Sequence, residues 1–309
     1  MRVSIVVPLH NEEESLPLLF PRLADALKSA DCSDFEFICV DDGSTDRTVE
    51  VLEDLRNSFP QIKGVVFSRN FGLDVAISAG LSYASGDVVI PIDADLQDPP
   101  ELIPLMIDLW RQGFQVVIAV RTSRAGETRA KKATAAFFYW LFNRISDIKI
   151  PYNSGNFRLL DRKVVEVIKS MPERTRFLRA LSVWAGFRQV TLPFQRDPRM
   201  EGMSKFRMGR MIRYALDALT SFSAFPARMV GVVGFVISSA SFLYAVFLVI
   251  FKLAGKKGMV PGYTSLMVVM LFLGGIQLLV LGVLGEYLGR IYNEVKERPL
   301  YIVQENFGF

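Results

Sequence analysis

The sequence is poor in cysteine and lacks the two commonest nucleotide fingerprints. Of its 309 residues only Cys32 and Cys39 are cysteines. No disulfide framework is implied, which suits a reducing compartment, and Cys39 sits inside an apolar run as a core thiol. No Gly-x-Gly-x-x-Gly follows the first predicted strand, and Gly-Lys-Ser/Thr occurs nowhere. A dinucleotide enzyme and an ordinary NTPase are therefore disfavoured. The net charge of +4 is too small to imply nucleic acid. A secretory leader is not expected: the apolar run from Val3 to Val7 is short, and Glu12-Glu13-Glu14 follows it. Charge is also scarce in one region, since from Met229 to Leu284 the only charged residues are Lys252, Lys256 and Lys257.

Half the residues are hydrophobic, and that uncharged region holds the excess. Residues 1 to 225 carry the charge of a soluble α/β domain. There the chain is organised around Val88 to Pro100. Val88, Val89, Ile90 and Ile92 read as a buried strand. Asp93-Ala94-Asp95 ends it, and Asp98 follows as an N-cap for a helix opened by Pro99-Pro100. Carboxylates crowded in this way raise one another's pKa unless something positive lies between them. A divalent cation shared with substrate phosphates is the simplest remedy; a solvated acidic turn is the plainer alternative.

Strands at Val3–Pro8, Phe35–Val40, Gly64–Ser68 and Val116–Val120, with helices between, predict a mostly parallel sheet with right-handed crossovers. Such sheets bind ligands beyond the carboxyl ends of their strands. Asn11, Glu13, Asp41, Asp42, Asn70, Asp93, Asp95 and Arg121 all fall at those ends. Further on, residues 121 to 132 form a basic stretch. A helix at about Ala133 to Ile145 carries Phe137, Phe138, Leu141 and Phe142 on one side, as core or as a face for the membrane interface. A second amphipathic helix, from about Phe206 to Phe222, reads as lying in the membrane plane. Met229–Phe251 and Pro261–Gly285 each exceed the roughly 20 residues that span a bilayer. Gly275, Gly282 and Gly289 recur every seven residues and make a close-packing face. Arg207, Arg210, Arg213 and Arg228 before these segments, and Arg290, Lys296 and Arg298 after them, outnumber the three connecting lysines. Both flanks are therefore expected in the cytoplasm.

The stretches PLHNEE, DDGSTD, SRNFG, DADLQDPPE, SGNFRL and PERTRF together resemble glycosyltransferase family 2. The match is closest to its polyisoprenyl-phosphate glycosyltransferases: bactoprenol glucosyltransferases and, more distantly, dolichol-phosphate mannose synthases. It runs nearly the full length, to the ending GEYLGRIYNEVKERPLY. The resemblance implies an α/β GT-A (Rossmann-like) catalytic domain over residues 1–205 and an interfacial juxtamembrane helix over 206–228. Two transmembrane helices at 229–251 and 263–285 and a cytoplasmic tail over 286–309 complete the expected plan. The expected protein is a multi-pass enzyme of the inner (cytoplasmic) membrane, its catalytic domain facing the cytoplasm. Its implied partners are a UDP-sugar, with glucose first, and a polyisoprenyl phosphate such as undecaprenyl phosphate. Self-assembly into a tetramer is also implied.

By the same resemblance, Pro8, Asn11, Glu13, Asp41, Asp42, Asn70, Asp93, Ala94, Asp95 and Arg121 hold the nucleotide sugar. Asp95 binds Mg²⁺ or Mn²⁺. Gln97 and Asp98 line the sugar and acceptor pocket. Arg124, Arg129, Lys132, Arg158, Arg199, Ser204 and Lys205 meet the acceptor phosphate. Asn156 stands where close relatives often carry an acid, and an amide cannot be a general base. A phosphate monoester has a second pKa of about 6 and needs little deprotonation before it attacks, so Asn156 is read as positioning it. The rivals are another sugar on the same lipid, or a non-catalytic nucleotide-binding scaffold. A processive polysaccharide synthase fits less well, because Gln-x-x-Arg-Trp is missing.

Overall fold

The computed structural model describes residues 1–122, 149–174, 176–195 and 262–309, together with 230, 232, 234–237, 239, 240, 242–244, 247 and 250. The predicted helices at 133–145 and 206–222 lie outside these. The chain divides into two units, Met1–Ala215 with Arg298–Phe309, and Leu216–Glu297.

The first unit is built on one eight-stranded sheet. Its strands are β1 (Arg2–Leu9), β2 (Asp34–Asp41), β3 (Ile62–Phe67), β4 (Val88–Pro91), β5 (Val116–Arg121), β6 (Ser154–Asp161), β7 (Gln189–Phe194) and β8 (Val303–Phe307). Their order is β7-β5-β6-β4-β1-β2-β3-β8. The pairs β1–β2, β1–β4, β2–β3 and β5–β7 are parallel. β6 runs antiparallel between β4 and β5, and β8 runs antiparallel along β3. The expected mostly parallel sheet is present at the centre. Its antiparallel members, β6 and β8, were not foreseen, and neither was β7.

Helices cover both faces, so the central strands are buried throughout rather than alternating. On one face α1 (Leu16–Ser29) contacts α2 (Thr48–Arg56) and α4 (Ile103–Arg111). On the other, α3 (Leu73–Tyr83) contacts α5 (Arg162–Ser170) and α6 (Leu178–Trp184). Val3, Ile5 and Val7 of β1 join Leu16, Leu19, Phe20 and Leu23 of α1 in the main core. Phe37 of β2 meets Phe20 edge-on at 5.2 Å.

The start of α4 departs from expectation. A 3₁₀ turn, Pro100–Leu102, precedes the helix, and no side chain caps either one. Asp98, expected as the cap, instead faces Arg121 across 3.4 Å. A buried carboxylate gains more from a guanidinium than from a neutral amide.

In the second unit α7 spans Tyr263–Val295, 33 residues, or about 50 Å at 1.5 Å per residue. It is long and apolar enough to cross a bilayer, and among the described residues it alone is. A shorter apolar helix, Gly234–Tyr244, falls within the predicted first span. The predicted hairpin is thus represented among the described residues by one spanning-length helix.

Candidate active site

The sheet brings the carboxyl ends of β1 to β5 to one edge, and antiparallel β6 adds its amino end there, with Ser154 opposite Val120. Two groups of side chains form at this edge.

The first ties together the loops after β1, β2 and β3. Asn11, at φ 57°, accepts from the Thr45 amide at 2.8 Å through Oδ1, and its own amide donates to Ser44 Oγ. The Glu13 carboxylate accepts from the Arg47 amide at 3.0 Å, and the Glu12 amide donates to Thr48 Oγ1. Asp46, two residues before α2 begins, accepts from the Thr48 amide and hydroxyl. Ser44 donates to Asp41 through both amide and hydroxyl. Asp42 reaches the next loop, accepting from the amides of Phe71 at 2.6 Å and Gly72 at 2.9 Å. Burial raises the Asp42 pKa, and those two amides oppose the rise. Gly43, at φ +66°, is required where it stands: a Cβ there would lie 2.6 Å from the Arg69 carbonyl carbon. Asn70 Nδ2 comes within 3.4 Å of His10 Nδ1. Pro8 is buried at the end of β1. The eight polar residues read from the sequence do share this edge. Asn11 and Asp42 have their side chains engaged in building it.

The second group gathers beyond β4. Asp93 is held well above the usual carboxylate range, at about 7; burial contributes most, then repulsion from Asp98 and Asp95, with Arg179 and Arg121 opposing. Its Oδ1 is shielded from solvent and has no hydrogen-bond partner among the described residues. Leu96, between the acids, takes φ 58° while its side chain is buried in the core. A γ-branched residue in the left-handed region is strained, and the turn it makes lets the Gln97 amide donate to Asp95 Oδ1 at 3.2 Å. Ala94, Gln97 and Asp98 are buried. Opposite the acids, Asn156 is 2% exposed and its Oδ1 accepts from Arg179 Nε at 3.2 Å.

Arg158, predicted to meet the acceptor phosphate, is wholly buried. Its guanidinium donates to the Gly155 carbonyl at 2.6 Å and to Ser182 Oγ. This placement corrects the expectation: the group binds α6 to β6 and does not face solvent. Arg124, Arg129, Lys132, Arg199, Ser204 and Lys205 lie outside the described residues. Sequence reasoning missed Arg179 as a site residue. Its one local signal is its place in a short helix beside Phe177, which its guanidinium overlies at 5.5 Å.

Among the described residues, no three His, Cys, Asp or Glu side chains form a complete metal cage. The acids after β4 still fit a divalent ion that takes its remaining ligands from phosphate. Asp93 has an orphaned buried oxygen and a pKa raised by burial first and then by its like-charged neighbours, and a cation would partner the oxygen and offset the repulsion.

A mixed α/β sheet with an acidic turn after β4 and facing arginines is the arrangement expected of a GT-A glycosyltransferase. Residues 4–169 match the family model "Glycosyl transferase family 2", and the chain belongs to that family. It is 51% identical over 308 residues to an uncharacterized glycosyltransferase of Synechocystis sp., covering 100% of this chain and 96% of that one. It is 44% identical to the SfII prophage-derived bactoprenol glucosyl transferase of Shigella flexneri, covering 99% and 98%. Among solved structures it is similar to glucosyl-3-phosphoglycerate synthase from Mycobacterium tuberculosis, with TM-score 0.46 and 22% identity over 72% of this chain and 80% of that one.

Proposed function

We propose that this protein is a membrane-anchored, inverting glycosyltransferase that moves glucose from UDP-glucose to a polyprenyl phosphate. The product is a polyprenyl-phosphate β-glucoside. The observation that carries the reading is the set of three acids after β4, one with an unsatisfied buried oxygen, facing Arg121 and Arg179. The full-length likeness to bactoprenol glucosyl transferases supports the choice of sugar and lipid.

In this reading Asp41, with Pro8, Asn11, Glu13 and Asn70 around it, receives the nucleoside. Asp42 holds the 69–72 loop in place for it. Asp95, with Asp93 beside it, would hold Mg²⁺ or Mn²⁺, which when bound offsets the charge that develops on the departing diphosphate. An acceptor phosphate oxygen attacks the anomeric carbon from the face opposite the diphosphate. The new C–O bond forms as the old one breaks, and UDP carries the electron pair away. Asn156 and Arg179, joined at 3.2 Å, orient the incoming phosphate, which is mostly dianionic at neutral pH and requires no strong base.

Connectivity supports the membrane placement. β7 and β8 belong to one sheet, so crossings between them must come in pairs. With α7 as one crossing, the apolar segment at 229–251 supplies the second, and the catalytic unit stays on the cytoplasmic side by the positive-inside balance. A polyprenyl tail stays in the bilayer, so an anchored site meets its acceptor locally. Assembly as a tetramer belongs to the same reading.

The test uses purified full-length protein, short-chain polyprenyl phosphate, Mg²⁺ or Mn²⁺ and a panel of nucleotide sugars, with mass spectrometry of the lipid product. A glucosyl lipid formed from UDP-glucose supports the proposal. Preference for a mannose, aminosugar or 4-amino-arabinose donor changes the sugar, and no turnover with any donor removes the enzyme reading.

A further inference from the structure

The last residues of the chain return to the catalytic sheet. β8 pairs with β3 from Gly64 opposite Phe307 to Phe67 opposite Val303, and the Ser68 amide donates to the Ile302 carbonyl at 3.0 Å. Phe307 lies flat on Gly64, where a Cβ would stand 2.1 Å from its ring. Just before this strand, Tyr301 stacks on Phe67 with centroids 4.9 Å apart and planes 18° apart. Burial raises the Tyr301 hydroxyl pKa, and a hydrogen bond with Ser82 of α3 opposes the rise.

Phe67 is the last residue of β3, and the donor-side loop begins just after it. Phe71 of that loop meets Phe67 edge-on at 5.6 Å and lies under the Arg69 guanidinium at 4.1 Å. Its amide is the one Asp42 holds at 2.6 Å. The 69–72 loop is thus fixed from one side by a carboxylate and from the other by an aromatic pile whose outer member is Tyr301.

We propose that Tyr301 is a positioning residue for the nucleotide sugar: the C-terminal segment sets the 69–72 loop through Phe67 and Phe71, and so sets donor binding without touching the donor. This rests on the reading that the nucleotide binds at the carboxyl edge. Stacked aromatic pairs contribute about 1 kcal/mol beyond burial. That corresponds to about a fivefold loss when one member is removed.

The experiment compares the full-length wild type with Tyr301→Ala, Tyr301→Phe and Gly64→Ala. The last leaves Tyr301 intact and displaces the tail through Phe307. For each, KM for UDP-glucose, KM for polyprenyl phosphate and kcat are measured, along with hydrogen exchange of the Phe71 and Gly72 amides. Tyr301→Ala and Gly64→Ala should raise the donor KM about fivefold, leave acceptor KM and kcat within about twofold, and speed exchange at both amides. Tyr301→Phe should restore the wild-type donor KM. Equal changes in the two KM values, an unchanged donor KM, or failure of Phe to rescue would overturn the proposal. Should Tyr301→Ala not fold, Gly64→Ala with Tyr301→Phe decides it by the same measures. A wild type that turns over UDP-glucose while the variants stay unchanged sinks only the positioning claim; a wild type that binds no nucleotide sinks the functional reading and this claim with it.

Discussion

Glu36 and Asp93 are acids withdrawn from solvent at opposite ends of one sheet, and their surroundings push them in opposite directions. Glu36 lies near the start of β2, 1% exposed. Burial opposes its charge, but Lys63 at 2.8 Å, Ser4 at 2.6 Å and Ser85 outweigh that and hold its carboxyl at about 2. Arg2 adds a second cation at 3.1 Å. Asp93, beyond β4, is raised to about 7 by burial and then by its like-charged neighbours, and it has an orphaned oxygen. The sheet satisfies its acids completely where it needs only to stay folded. It leaves one short of partners where a ligand is expected to supply them. The linkage signs follow. Glu36 contributes stability above the ordinary carboxylate range, and that contribution fades as pH falls toward 2. Asp93 favours the fold while protonated, and that favour is lost as pH rises through about 7.

Substitutions at the two ends should therefore separate activity from stability. The largest effect is expected from Asp95→Ala, which should lower sugar transfer by about two to three orders of magnitude with the melting temperature little changed. Full transfer by that variant would undo the contrast and the reading of the site together. At the other end, Glu36→Gln strands Arg2 and Lys63 and should destabilise the fold by about 3 kcal/mol, with kcat per folded molecule preserved. Chemical denaturation run between pH 7 and pH 3 should show the wild type converging on Glu36→Gln as pH falls. Asp93→Asn should raise the melting temperature of the ligand-free protein at pH 8 and abolish most turnover, since it removes an unsatisfied charge the chemistry uses. Asn156→Asp should have the smallest effect, a change of a few-fold in rate, because a phosphate dianion needs no base. A wild type without turnover that gains activity only as this variant would reverse the assignment.

The central parallel strands were legible because each is a short β-branched run closed by polar residues, as Val88–Ile92 is by Asp93-Ala94-Asp95. The site acids were legible for the same reason: they end those runs. β6 was not. The stretch SGNFRLLD contains a glycine, an asparagine and an arginine, and only the structure shows Arg158 buried and donating to Gly155 and Ser182. Asp98 has the composition of a helix cap, yet a distant arginine claimed it. β8 was hidden because VQENF has no apolar periodicity. Its place is set by Phe307 over Gly64 and Tyr301 on Phe67, contacts between residues far apart in the chain.

That distance bears on how the protein is made. β8 leaves the ribosome long after β3, which has by then waited through more than two hundred residues of synthesis, roughly ten seconds or more at ordinary rates of translation. Until then the outer edge of β3, Ile62–Phe67, is bare, and a bare apolar edge is a template for joining another chain. Nascent or nicked protein lacking β8 should be the form that clumps.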